Sequence, residues 1–221
     1  MDSMTRLWQL ISPTLPVGAF TWSQGLEYAV AAGWVNNEAK AHEWIGGLAE
    51  HVIARLDLPV IDRSRRAWEE GDGHGALAWN RRLLASRETA ELLGEDRAMG
   101  SALRRLALSL ELPLPDEFRG RETVSFAALF AWFSHHWRIG RGDALGGYMW
   151  AWSENQTAAA IKLVPLGQTA GQRLLLALGE RIAPAVQQAL ALRDDDIGMT
   201  APGQCIASAC HETQYTRLFR S

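Results

Sequence analysis

The side chains with the strongest metal-binding chemistry lie close together near the C-terminus. Cys205, Cys210 and His211 supply thiolates and an imidazole, which suit Ni²⁺ or Zn²⁺. Their spacing matches no closed structural zinc site, and on a helix the two cysteines would point about 140° apart. We therefore interpret the cluster as ordinary helix packing, with nickel storage as the alternative.

Other histidines also lack the spacing of a metal site. His42-Glu43 begins like the zinc-binding helix of a metalloprotease, but Gly46 stands where the second histidine is required. His135 and His136 are adjacent, so on a helix they point about 100° apart and cannot reach one ion from one face. The sequence predicts no cofactor and no metal site.

Motifs for nucleotide binding and nucleophilic catalysis are missing too. No Gly-x-x-x-x-Gly-Lys-Ser/Thr loop occurs, and the glycine-rich segment 71–75 lacks both the preceding strand and the lysine. No Gly-x-Ser-x-Gly elbow occurs, and no Ser/His/Asp set stands out. We predict that the protein is not an enzyme. A hydrolase or nucleotidase with an unrecognised site is the alternative.

Composition indicates one globular domain over residues 1–221. Hydrophobic residues make up 48% of the chain and charged residues 21%. The net charge of −3 provides no general attraction for nucleic acid or for an anionic membrane. The longest uncharged apolar stretch, 123–137, is shorter than the about 20 residues of a membrane span. With no signal pattern at residues 1–6, we expect a cytoplasmic protein.

Apolar residues recur with helical spacing, whereas the alternation of a half-buried strand is rare. We expect an all-α, single-domain helical bundle of roughly seven helices. The expected helical regions are 23–32, 38–56 with a kink or restart at Pro59, 76–110, 123–138, 143–162 and a long helix from 167 that Pro184 bends. Within 76–110, Leu92, Met99 and Leu103 face the core, and Glu95 lies on the solvated face. Residues 1–14 form an N-terminal segment, and residues 203–221 form a flexible C-terminal tail.

Four segments form a recognisable pattern: 15–27 (LPVGAFTWSQGLE), 87–100 (with RET, DR and MG), 155–168 (with NQ and KLVPLGQ) and 211–221 (HETQYTRLFRS). They resemble the signatures of the urease accessory protein F (UreF) family, and they occur in the family's order. The departures are small. Thr21-Trp22 stands where the family often has Ser-Tyr, and Cys205 and Cys210 are not part of the pattern.

The resemblance implies an all-α homodimer without chemistry of its own. It implies an adaptor that links two partners to apo-urease: the D-type accessory protein, called H in some systems, and the nickel-binding GTPase of the G type. It also implies that the adaptor modulates the GTP-dependent insertion of nickel.

The tail supplies the first candidate partner-binding residues. They are Tyr215, Arg217, Leu218, Phe219 and Arg220. Leu218 and Phe219 are apolar anchors flanked by charge, as in a segment that orders when it binds. We expect the tail to be mobile alone and ordered with the D-type partner. The alternative is a tail that folds back on its own bundle.

The remaining candidates are Arg87, Glu88, Tyr148 and Lys162. Arg87 and Glu88 bind a partner or form an ordinary exposed ion pair. Tyr148 lies at a dimer or partner surface. Lys162 contacts the GTPase or lines a pore, or it only complements the dipole at its helix end.

Overall fold

The computed structural model describes residues 2–120, 122–198 and 201–220, and the class is all-α as predicted. The first helices are α1 (Ser3–Leu10), α2 (Leu26–Ala31) and α3 (Glu38–Leu48), with a 3₁₀ turn at Ala19–Thr21. Helix α1 was missed because it falls inside the predicted N-terminal segment. Gly33 follows α2 with φ 76°, a backbone conformation that glycine adopts without strain. The side chain of Asn37 then caps α3 by accepting from the Lys40 amide.

A single helical run continues from α3 into α4 (Leu58–Glu69) through wider, π-type turns over Ala49–Asp57. Pro59 lies in the first turn of α4, where its missing N–H is tolerated. Pro59 thus stands where the run returns to α-helical turns, and it neither ends nor interrupts the helix. The π-type segment places Asp57, its last residue, inside the molecule with 1% of its surface exposed.

The predicted region 76–110 is two helices, α5 (Gly73–Ala85) and α6 (Ala90–Ser109). The side chain of Asp72 caps α5 by accepting from the Gly75 amide. Thr89 caps α6 by accepting from the Leu92 amide. A short helix, α7 (Asp116–Arg119), follows. The helical spacing of apolar residues carries across this break, which is why the sequence pattern concealed it.

Helix α8 (Phe126–His136) is buried nearly all round, as its apolar sequence predicts, and packs against α4, α5, α6 and α9. Helices α9 (Arg141–Leu163) and α10 (Gln168–Ala191) pack against each other, and Pro184 lies inside α10. A 3₁₀ turn at Asp194–Asp196 and α11 (Pro202–His211) complete the fold. Helical segments outnumber the roughly seven predicted, because the region 76–110 is divided and short helices such as α1 and α7 carry little periodicity. No helix among the described residues is long and apolar enough to cross a membrane.

Helices α6 and α8 approach closely at Gly100. A methyl group at this position would lie 2.0 Å from the carbonyl oxygen of Val124, a backbone atom that cannot rotate away. Gly94, on the same helix, has no atom within 4 Å of the equivalent position. Alanine substitutions at these two glycines therefore distinguish the effect of close packing from the effect of helix propensity.

We predict that Gly100→Ala lowers the free energy of unfolding by about 1–3 kcal/mol through overpacking. Gly94→Ala should raise it by up to about 1 kcal/mol, because alanine favours a helix. Urea denaturation monitored by circular dichroism measures both. Equal effects of the two substitutions would show that the α6–α8 approach is not tight.

Candidate functional site

The C-terminal segment is docked on the bundle. After α11 it passes α2, where the backbone amides of Leu218 and Phe219 donate to the carboxylate of Glu27 at 2.6 and 2.8 Å. The Arg220 amide donates to the carbonyl oxygen of Thr21 at 2.8 Å. Residues 202–211 are helical, and Phe219 is only 7% exposed within the core. Up to residue 220 the structure therefore has the alternative arrangement, a tail folded back on its own bundle, since a buried aromatic ring and three backbone hydrogen bonds dock residues 218–220.

His211 lies at the base of the docked segment and is fully buried. Its Nε2 is 3.1 Å from Glu27 and its Nδ1 is 2.9 Å from Glu91. The guanidinium of Arg217 is 3.3 Å from Glu91. The C-terminal segment therefore contacts α2 through Glu27 and α6 through Glu91.

The docked segment and two residues beside it have exposed side chains, and we call this surface the tail face. It consists of Phe20, Lys162, Tyr215, Arg217, Leu218 and Arg220. Tyr215 is fully exposed, Leu218 is 67% exposed and Phe20 is 60% exposed. Phe20 directly precedes Thr21, the residue that binds the Arg220 amide.

Two basic side chains of the tail face lie over buried aromatic rings beneath it. The ammonium of Lys162 lies 5.6 Å from the centre of the Phe219 ring. The guanidinium of Arg220 lies 5.9 Å from the Trp22 ring. Cations over aromatic rings are attracted by the π electrons, so both contacts support the docked position. The fold thus brings Lys162 to the predicted tail residues, although the sequence placed it on a separate helix.

Arg87 lies elsewhere, in a buried polar cluster. It donates to both carboxylate oxygens of Asp57, at 2.6 and 3.2 Å, and to Asp96 at 2.5 Å. The Tyr148 hydroxyl donates to Asp57 at 3.1 Å. Tyr148 is therefore buried inside the bundle, and the prediction that it lies at a dimer or partner surface is wrong. Arg87 does not form the expected exposed pair with Glu88, because both aspartates compete for it inside the bundle.

Electrostatics in this cluster follow from burial. Burial opposes the charge of Arg87, but Asp57 and Asp96 outweigh it and hold the Arg87 pKa well above its usual value. Burial raises the pKa of Asp96, although Arg87 opposes the rise. Burial and the neighbouring carboxylate of Asp57 raise the pKa of Tyr148 well above its usual range.

Glu95, predicted on the solvated face of α6, faces inward instead. Burial raises its pKa to about 8, outweighing the hydrogen bond that it accepts from Gln24 at 3.0 Å. The indole N–H of Trp152 donates to the side-chain oxygen of Gln24 at 2.9 Å. The segment 15–27 therefore reaches α6 and α9 through Gln24. Helical periodicity could not reveal this, because the covering element is a distant loop.

A cavity of about 380 Å³ lies beside this cluster, between the N-terminal segment and α9. Most lining residues are apolar, and Asp57, Arg87, Glu95 and Asp96 contribute polar groups to its wall. Cavities form between elements distant in sequence, so no local pattern predicts this one. The sequence signal for it was the family resemblance, because three of the four matching segments, 15–27, 87–100 and 155–168, contribute residues to its lining.

The cysteines and His211 do not converge on a common point. The Cys205 thiol contacts the carboxylate of Glu88, and burial, with this hydrogen bond and charge, raises its pKa to about 11. His211 is instead enclosed by Glu27 and Glu91. Over the described ranges no three His, Cys, Asp or Glu side chains form a group that could hold a metal ion. Glu88 itself is exposed near α11.

Comparison with known proteins agrees with the family resemblance found in the sequence. Residues 35–179 match the sequence profile of the UreF family. A urease accessory protein UreF from Alkalilimnicola ehrlichii is 49% identical over 98% of this chain and 95% of its own length. Those from Chromohalobacter salexigens and Psychrobacter cryohalolentis are 48% and 49% identical over 99% of this chain and 95% and 94% of theirs.

We predict that Arg87→Met lowers the free energy of unfolding by about 3–5 kcal/mol, because it leaves two buried carboxylates without their partner. Glu88→Gln, at the neighbouring exposed position, should change it by no more than about 0.5 kcal/mol. Urea denaturation at neutral pH measures both. Similar losses in the two variants would contradict the assignment of Arg87 to the core.

We also predict a pH effect from Glu95. Its folded-state pKa of about 8 lies above its usual value of 4.5, so the folded protein binds a proton more tightly than the unfolded chain. Its contribution to stability is therefore greatest at low pH and declines from about pH 4.5 to 8. Glu95→Gln keeps an oxygen acceptor for Gln24 and cannot ionise.

Urea denaturation at intervals between pH 5 and 9 tests this effect. The stability of the wild type relative to Glu95→Gln should decline as the pH rises towards 8 and then level off. A constant difference between the two proteins would contradict a neutral Glu95.

Proposed function

The chain belongs to the UreF family of urease accessory proteins, and on this premise we propose that it is a non-catalytic adaptor in the assembly that inserts nickel into urease. The family assignment rests on full-length relatives that carry the name urease accessory protein UreF. An adaptor requires a surface that binds its partners, and the tail face is a candidate for that surface.

We assign the tail face to the D-type (H-type) accessory protein. Exposed apolar side chains of this size at one site are typical of a binding surface rather than of scattered surface hydrophobics. Leu218 and Tyr215 supply apolar area, and Lys162, Arg217 and Arg220 supply positive charge around it. The complementary partner surface has an apolar groove with an acidic rim.

The family resemblance supports a proposal for the other partners. The adaptor acts in the cytoplasm as a homodimer, and it links the D-type protein and the G-type GTPase to apo-urease while modulating GTP-dependent nickel insertion. Exposed Glu88 is available to a partner beside α11. Arg87 and Tyr148 contribute indirectly, because their buried cluster fixes the relative positions of the π-type segment, α6 and α9.

Deleting residues 217–221 would not test the tail face cleanly. The deletion removes the buried Phe219 ring and the hydrogen bonds to Glu27, so it should lower stability as well as binding. A substitution of an exposed side chain avoids this difficulty.

We predict that Leu218→Ala weakens binding of the purified D-type accessory protein by about 25-fold or more, the loss expected for a binding hot spot. Its melting temperature should stay near that of the wild type, since the side chain is exposed. The matched control is Leu108→Ala, which removes a similarly exposed leucine (54%) at the end of α6. Isothermal titration calorimetry measures the affinities. Wild-type affinity in Leu218→Ala, or equal weakening by both variants, would argue against the tail face.

A further inference from the structure

Glu27 is a buried acid, and among the described residues its carboxylate binds three groups of the C-terminal segment: the Leu218 amide, the Phe219 amide and His211. Its side chain is 8% exposed. It accepts from the backbone amides of Leu218 and Phe219 and lies 3.1 Å from His211. A buried carboxylate is costly unless hydrogen-bonded, so α2 is at its most stable only when the C-terminal segment is docked.

The two amide contacts also fix which tail side chain faces outward. Leu218 and Phe219 are consecutive residues that donate to the same carboxylate, yet Leu218 is 67% exposed and Phe219 is 7% exposed. A shift of one residue along the segment would exchange these environments. It would bury the leucine and expose the phenylalanine.

We infer that Glu27 is a positioning residue: its carboxylate holds residues 218–220 in the docked register, and the D-type partner binds this docked form. The inference rests on the proposed function of the tail face. Glu27 contacts no partner in this account, and it acts by raising the fraction of molecules whose tail face is formed.

Docking before binding has an energetic consequence. A free tail loses conformational entropy when it binds, whereas a docked tail has already lost it. If only the docked form binds, the apparent dissociation constant equals the intrinsic value divided by the docked fraction. Weakening the Glu27 contacts therefore lowers affinity even though the partner-facing side chains are unchanged.

Two substitutions test the contacts from opposite sides. Glu27→Gln removes the charge with little change in shape. Leu218→Pro removes one donating N–H, and Leu218→Ala is its matched control because it shortens the side chain and keeps that N–H. The proline variant alters only the docked end of the chain, so it keeps the test valid if Glu27→Gln fails to fold.

The first readout is hydrogen exchange of the backbone amides at 214–220 in the isolated, full-length protein. We expect slow exchange in the wild type and in Leu218→Ala. Exchange should be about tenfold or more faster in Glu27→Gln and Leu218→Pro, the factor that matches loss of a hydrogen bond to a charged group. Amides in α8 should be unaffected. Unchanged protection of 214–220 in both variants would overturn the role of Glu27.

The second readout is the affinity for the purified D-type accessory protein. Glu27→Gln should bind more weakly by a factor close to the loss of docking, and Leu218→Pro more weakly than Leu218→Ala. If Glu27→Gln loses protection but binds as tightly as the wild type, the partner recognises the undocked tail and the inference fails. In that case the proposed function stands. Absence of binding by the wild type would overturn the proposed function and the partner step together, and the exchange data would still decide whether Glu27 holds the tail.

Discussion

The fold depends on how its buried carboxylates are satisfied, and the contact between Glu27 and the C-terminal segment shows this most directly. An ionised carboxylate away from water is stable only when several N–H groups point at it. For Glu27 the two amide donors and His211 come from residues near the other end of the chain. The same constraint buries Phe219 and leaves Leu218 at the surface.

The Arg87 cluster applies this constraint between other elements. Asp57 ends the π-type segment, Asp96 lies in α6 and Tyr148 lies in α9, and Arg87 joins the first two. Helix α9 connects the two regions, since Tyr148 near its beginning faces the cluster and Lys162 near its end faces the tail. Helix α6 does the same through Asp96 and Glu91. The tail face is thus supported by a frame of ion pairs rather than by apolar packing alone.

Periodicity in the sequence predicted the class and the central α8, because these depend on local spacing of apolar residues. It failed where the outcome depends on distant groups. The spacing on α6 predicts that Glu95 is at the surface, but in the structure Gln24 covers it. The sequence suggests that Arg87 pairs with its neighbour Glu88, but in the structure it binds Asp57 and Asp96. The tail was predicted to be flexible because its composition cannot show that its backbone amides donate to Glu27, a residue near the other end of the chain. Short helices such as α1 have too few turns to show a helical spacing of apolar residues in the sequence.

The central claim is that the tail face binds the D-type accessory protein, and photo-crosslinking tests it most directly. A photoreactive phenylalanine analogue at position 215, where the native side chain is fully exposed, would be irradiated with all purified urease maturation proteins and apo-urease present. The same analogue at position 110, which is exposed at the end of α6, is the control. We expect a product between position 215 and the D-type protein and none from position 110. Crosslinking of position 215 to the GTPase or to apo-urease instead would contradict it.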